Sequence, residues 1–100
     1  MRHERNRDYL VVYLTGELDH HSASMIRREM DRLLEDVRVR TLVIDMGDMA
    51  FMDSSGIGVI LGRYRTMASR GGRVCVRGMN RQVRRVFNLS GMGQIMEVMD

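Results

Sequence analysis

Asp53-Ser54-Ser55-Gly56 places two hydroxyls between a carboxylate and a glycine, directly after Phe51-Met52 and ahead of Ile57, Val59, Ile60 and Leu61. Side-chain oxygens at consecutive positions before an apolar stretch mark a helix start, with Asp53 or Ser54 as the cap. The first turn of a helix has backbone N–H groups without partners and carries the positive end of the helix dipole. A phosphate on Ser54 or Ser55 would gain about 0.3–1 kcal/mol from that end, with Asp53 opposing it. In an open α/β sheet, the junction between a strand's C-terminal end and the next helix is also where ligands gather.

Other groupings carry less. Asp19, His21 and Ser54 are the residue types of a hydrolase triad, but Gly-x-Ser-x-Gly is absent and no catalytic residue is expected. Gly56-x-Gly58 opens a dinucleotide-like pattern that fails where Leu61 stands in place of the third glycine. Gly58 and Gly62 are spaced to let a sheet or a partner backbone come close. His20-His21 beside Asp19 offers ligand atoms, but no second cluster completes a metal site, and capping or surface roles fit these residues. Arg77, Arg81, Arg84 and Arg85 form the densest basic patch. It lacks interleaved aromatics, so a solvated helix face or a protein contact is favoured over nucleic acid.

A chain of 100 residues has room for one domain, 1–100, and not for a catalytic unit beside a binding unit. Hydrophobic residues at 44% and charged residues at 29% match folded globular proteins and exclude a disordered or fibrous chain. Eleven Met against five aromatics and no Trp predict an adaptable, modest core. All sixteen basic residues are Arg, and charge is uneven: residues 1–53 hold eight Arg and eleven acids, residues 54–100 eight Arg and two acids. The basic half suits a nucleic acid or an acidic protein as partner. The lone Cys75 permits no internal disulfide and fits a reducing compartment as a buried, inert thiol. The polar stretch 1–7 is no signal peptide, and no apolar run approaches the roughly 20 residues that span a bilayer, so a cytoplasmic protein is expected.

These residues need positioning elements. Tyr9 to Leu14 reads as a strand with both faces largely covered, stopped by Gly16, with residues 1–7 as a weak edge strand. From Ser22, the apolar residues Met25, Ile26, Met30, Leu33, Leu34 and Val37 recur at helical spacing, with pairable charges such as Arg27 and Asp31 on the opposite face. Thr41 to Met46 is a second strand. A mostly buried helix then runs from the Asp53 cluster to about Arg70 and is closed by Gly71-Gly72. Arg73 to Arg77 reads as a third strand. Asn80 caps a helix with Val83, Val86 and Phe87 inward, and Gln94 to Met99 forms a last strand. Alternating strands and helices predict an α/β fold with a mainly parallel sheet.

Two stretches carry a likeness to a known family. Thr15-Gly16-Glu17-Leu18-Asp19-His20-His21 and Phe51 through Tyr64 closely resemble the anti-sigma-factor antagonists of the STAS family, its sporulation branch above all. The likeness continues through Gly71-Gly72-Arg73-Val74 and Val83 to Gly91, nearly the whole chain. It implies a single STAS-type α/β domain with a mostly parallel, four- to five-stranded sheet flanked by helices. It also implies a phosphoprotein of transcription regulation, with Ser54 as phosphoacceptor and Ser55 as the fallback. The partners so implied are an anti-sigma factor serine kinase, bound to ATP or ADP, and a protein serine phosphatase. The nucleotide would belong to the kinase, so no cofactor is expected here.

By the same likeness the partner surface comprises Asp19, His20, His21, Ser22, Asp53, Ser54, Ser55, Gly56 and Ile57, and docking there frees a sigma factor by partner switching. Two departures stand out. The N-terminal stretch is short and charged, and Asp100 is reached without the C-terminal helix that covers the sheet in such proteins. Either an exposed apolar strip is tolerated, or the chain is shortened, or another copy covers the strip, and the last, weak self-association, is tested by light scattering. The alternative is a STAS-type module that senses a ligand or scaffolds a complex without being phosphorylated. Nucleic-acid binding through the Arg-rich half is a third reading, for which no salt-dependent gel shift is expected.

Overall fold

β-Branched and apolar residues at Tyr9–Leu18, Thr41–Met52 and Arg73–Arg77 form strands β2, β3 and β4, while the polar His3–Asn6 forms β1 and Glu97–Met99 forms β5. In the computed structural model, which describes residues 1–99, the strands make one sheet in the order β1-β2-β3-β4-β5. β1 runs antiparallel to β2, and the other three pairings are parallel. Helices α1 (Ala23–Leu33), α2 (Ser54–Ser69) and α3 (Arg81–Leu89) connect β2 to β3, β3 to β4 and β4 to β5. Each crossover moves one strand further in the same direction, and right-handed crossovers of that kind place all three helices on one face of the sheet.

That one-sidedness corrects the sequence reading of a first strand covered on both faces. Leu10, Val12 and Leu14 are buried beneath the helices, whereas Tyr9 is exposed and Val11 and Tyr13 are half-buried on the other face. There, side chains do the covering. Arg77 Nε donates to Asp45 Oδ2 at 2.7 Å, Arg73 Nη2 lies 3.0 Å from Glu97 Oε2, and the Arg2 guanidinium sits 3.9 Å over the Tyr13 ring. Cys75 is buried in this layer, and its Sγ is 3.0 Å from Glu97 Oε2. Burial, then the carboxylate, pushes its thiol pKa up, as expected for an inert thiol.

The core joins Leu42, Ile44, Met46, Val74 and Val76 of the sheet to Ile26, Met30, Leu34, Val59, Ile60, Met67, Val83 and Phe87 of the helical layer. Eight of the eleven methionines are buried there: Met30, Met46, Met49, Met52, Met67, Met79, Met92 and Met96. Three sequence expectations shift. Met25 and Val37, placed on the buried stripe of α1, are 54% and 68% exposed because α1 ends at Leu33 and its buried line runs through Ile26, Met30 and Leu34. Asp31 pairs with Arg63 of α2 rather than with Arg27. Gln94 and Ile95 are not strand: Met92–Gln94 is a 3₁₀ turn, and β5 starts at Glu97. The edge strand β1 does form. All four of its residues are exposed, so main-chain pairing with β2 holds it, aided by a 2.8 Å bond from Tyr13 OH to Glu4. Among the described residues no helix is long and apolar enough to cross a membrane.

Candidate functional site

β2 and β3 run on well past the strands read from sequence, and their parallel pairing carries both C-terminal ends to one edge of the molecule. Register shifts after Tyr13 and Gly16 bring Leu18 opposite Met52, and the Asp53 N–H donates to the Leu18 carbonyl at 3.2 Å. The Asp19–Ser22 loop therefore lies beside the Asp53–Gly56 helix start, which sequence separation alone does not reveal.

Asp53 is the cap of α2, the first of the two options left open by the sequence. Its backbone is extended (φ −116°, ψ −168°), and Oδ1 accepts the Ser55 N–H at 2.8 Å. Ser54 follows as the first helical residue and is exposed, while Ser55 is half-buried. Gly56 is buried. A Cβ there would run into Met52 Cγ and stand 2.9 Å from Leu18 Cγ, so the absent side chain is what lets the helix start sit against the two strand ends. By contrast, a Cβ on Gly58 or Gly62 would meet nothing within 4 Å, so neither glycine serves a close approach within this chain. Ile57 is only partly buried and packs against the core.

The neighbouring loop is held by its own polar groups. Asp19 Oδ1 accepts the N–H groups of His21 at 2.9 Å and Ser22 at 3.1 Å, and Ser22 Oγ donates to the Glu17 carbonyl at 2.7 Å. The Ser22 N–H bond chiefly, with burial opposing and the His21 contacts assisting, holds the Asp19 carboxyl below its usual pKa. The rings of His20 and His21 lie 3.9 Å apart. His21 is 79% exposed at its side chain, and its Nδ1 stands 3.9 Å from Asp19 Oδ1, beyond hydrogen-bond distance. His21 is therefore not held by Asp19 as the oriented base that a relay needs. Arg77 of the basic patch is committed to Asp45.

Two features escaped the sequence reading. An open groove of about 430 Å³ runs between α1 and α2, with His20, Ser24 and Arg27 on one wall and Ser55 and Gly58 on the other. The helical spacing of Ser24 and Arg27 placed them on one face, but which helix they would meet depends on the fold. The second feature is Gln82 of α3, whose side chain reaches the main chain of Met52.

The chain folds as a one-sided α/β sheet with an exposed hydroxyl at the first turn of its central helix. The chain belongs to the STAS domain family, whose model matches residues 1–100. It is 41% identical over 97 residues to an anti-sigma F factor antagonist of Paenibacillus polymyxa, an alignment covering 97% of this chain and 83% of the relative. The structure of the anti-sigma factor antagonist SpoIIAA in its unphosphorylated form is similar at 32% identity and TM-score 0.78, covering 99% of this chain and 86% of that one. The phosphorylated form of SpoIIAA, a Bacillus cell fate determinant, matches at 34% identity and TM-score 0.76, with 99% of this chain and 90% of that one covered.

Proposed function

We propose that this chain is an anti-sigma factor antagonist, switched off by phosphorylation of Ser54. The observation that carries the reading is the exposed position of Ser54 at the tip of α2, next to the Asp53 cap and beside the Asp19–Ser22 loop. Relatives bearing the antagonist name support it, as does the existence of a phosphorylated form of SpoIIAA. Unmodified, the surface formed by Asp19 to Ser22, Asp53 to Ser55 and the exposed side of α2 docks on an anti-sigma factor and displaces the sigma factor held there. The same anti-sigma factor, acting as an ATP-dependent serine kinase, transfers the phosphoryl group to the Ser54 hydroxyl, with Ser55 the fallback acceptor. A protein serine phosphatase reverses the step.

Charge explains why one modification suffices. A phosphate adds about −1.5 to −2 charges beside Asp53 and Asp19. Burying that group against the former partner then costs both repulsion and desolvation. A change of about 3 kcal/mol lowers affinity more than roughly a hundredfold, which throws the switch without refolding the domain. Ser54 is the acceptor because it is exposed, whereas Ser55 is half-buried beside the α1–α2 groove.

The test is displacement. Unmodified chain titrated into a complex of the cognate anti-sigma factor and its labelled sigma factor should release the label, and chain carrying Ser54→Asp should release it only at far higher concentration. Retention of the label at saturating unmodified chain contradicts the reading.

A further inference from the structure

β3 outruns β4. The two pair only from Thr41 with Arg73 to Asp45 with Arg77, so on the β4 side the last stretch of β3 has no strand beside it. That stretch leads directly into Asp53 and Ser54. Unpaired backbone groups at a half-buried edge are costly, so something must take them. The start of α3 does. Asn80, the α3 cap, donates from Nδ2 to the Met49 carbonyl at 2.9 Å while its Oδ1 accepts the Val83 N–H at 2.8 Å. Gln82 Oε1 accepts the Met52 N–H at 3.0 Å, and Gln82 Nε2 donates to the Met52 carbonyl at 2.9 Å.

The Gln82 amide thus presents one acceptor and one donor to a single residue, as a neighbouring strand would. On the opposite side, the next residue is fixed by its bond to β2, Asp53 N–H to Leu18 carbonyl at 3.2 Å. Met52 and Asp53 are clamped from both sides, and Ser54 follows at once.

We infer that Gln82 is a positioning residue for the Ser54 switch. Its amide replaces the missing strand partner and fixes the backbone from which the Ser54 hydroxyl is presented to the modifying kinase. The inference rests on the reading of Ser54 as phosphoacceptor. Alanine at position 82 removes both bonds. Glutamate keeps the acceptor for the Met52 N–H but sets a second oxygen against the Met52 carbonyl, so it restores half of the clamp.

Two measurements on the full chain test this with Gln82→Ala and Gln82→Glu. Amide hydrogen exchange, read on the chain alone, should be faster at Met52 by about tenfold or more in Gln82→Ala and partly restored in Gln82→Glu, because exchange tracks the local opening equilibrium. With the cognate kinase and ATP, kcat for transfer to Ser54 should fall about tenfold or more in Gln82→Ala while KM stays within about twofold, since misplacing a reacting group costs the chemical step. Unchanged Met52 exchange overturns the clamp. Unchanged kcat in a variant with lowered Tm shows a purely structural amide and overturns the positioning role. If Gln82→Ala does not fold, Gln82→Glu is read alone, and full kcat in it is equally contrary. A wild-type chain that accepts no phosphate overturns the reading of Ser54 itself, and Met52 exchange distinguishes that failure from failure of the clamp.

Discussion

Asp53 Oδ1 accepts the Ser55 N–H at 2.8 Å, so one of the donors at the tip of α2 is already engaged before any phosphate arrives. A phosphoryl group on Ser54 would therefore meet a capped helix and a nearby carboxylate rather than an open cradle. Under the proposed function, the switch would act by repelling a partner rather than by refolding the domain.

Replacing Asp53 with alanine removes that cap. The loss should be about 0.5–2 kcal/mol, read as a lower urea midpoint at unchanged m. Asp53→Ser, which keeps a cap acceptor, should recover most of it. An alanine variant as stable as the parent would show that the bond does not hold the tip.

Gly56→Ala and Gly58→Ala should move stability in opposite directions. The Cβ at position 56 runs into Met52 Cγ and stands 3.0 Å from the Leu18 carbonyl oxygen, and overpacking of this sort costs about 1–3 kcal/mol. The Cβ at position 58 meets open space, where alanine in place of glycine gains about 0.5–1 kcal/mol in a helix. Thermal melts of the two variants check both signs.

Arg63 is 7% exposed, with Nε 3.0 Å from Asp31 Oδ1 but poorly aligned, and Nη1 has no partner among the described residues. Burial lowers its pKa, Asp31 opposes the fall and Arg27 adds to it. A buried charge so thinly satisfied does not hold a fold together. Arg63→Met should be close to neutral, because it removes the buried charge and leaves Asp31 half-exposed to water. Asp31→Ala should cost about 1–2 kcal/mol, less than for a fully buried pair because Asp31 is half-exposed. Chemical denaturation of both variants decides, and a large loss in Arg63→Met would be contrary.

Acid should weaken the helix-free face of the sheet. Burial, the largest single influence on Asp45, pushes its pKa up, but the Arg77 hydrogen bond, the Gly47 N–H and the charges of Arg77 and Arg2 together carry it below the usual value. A carboxyl whose folded pKa is depressed contributes stability that is complete above its unfolded pKa, about 4, and is lost as pH falls through the folded value. The urea midpoint should therefore begin to fall below pH of about 4, less steeply in Asp45→Asn. Identical slopes would remove Asp45 from the account.

The succession of strands and helices along the chain was legible in the sequence because period-2 and period-3.6 patterning change cleanly at Ser22, Asp53 and Asn80, whereas the order of strands within the sheet was not. Arg73–Arg77 reproduces the predicted strand residue for residue. The ends were not legible. β2 continues through Gly16 to Leu18, and β3 continues through Gly47 to Met52, because pairing between the two strands outweighs the local weakness of glycine. Val37 fits the apolar period yet lies exposed, since periodicity cannot say where a helix stops, and Met25, inside α1, falls beside the buried line through Ile26 and Met30. At the candidate site, the Asp53 cap and Ser54 at the helix start were readable from local chemistry. Gln82 and the α1–α2 groove were not, because they join residues brought together only by the crossovers.

The most direct measurement is the mass of the full chain after incubation with its cognate anti-sigma kinase and ATP, followed by fragmentation to locate any added group. One phosphate is expected on Ser54, and none on Ser54→Ala. A phosphate found on Ser55 in the parent chain, or a parent chain left unmodified by an active kinase, would contradict the Ser54 assignment.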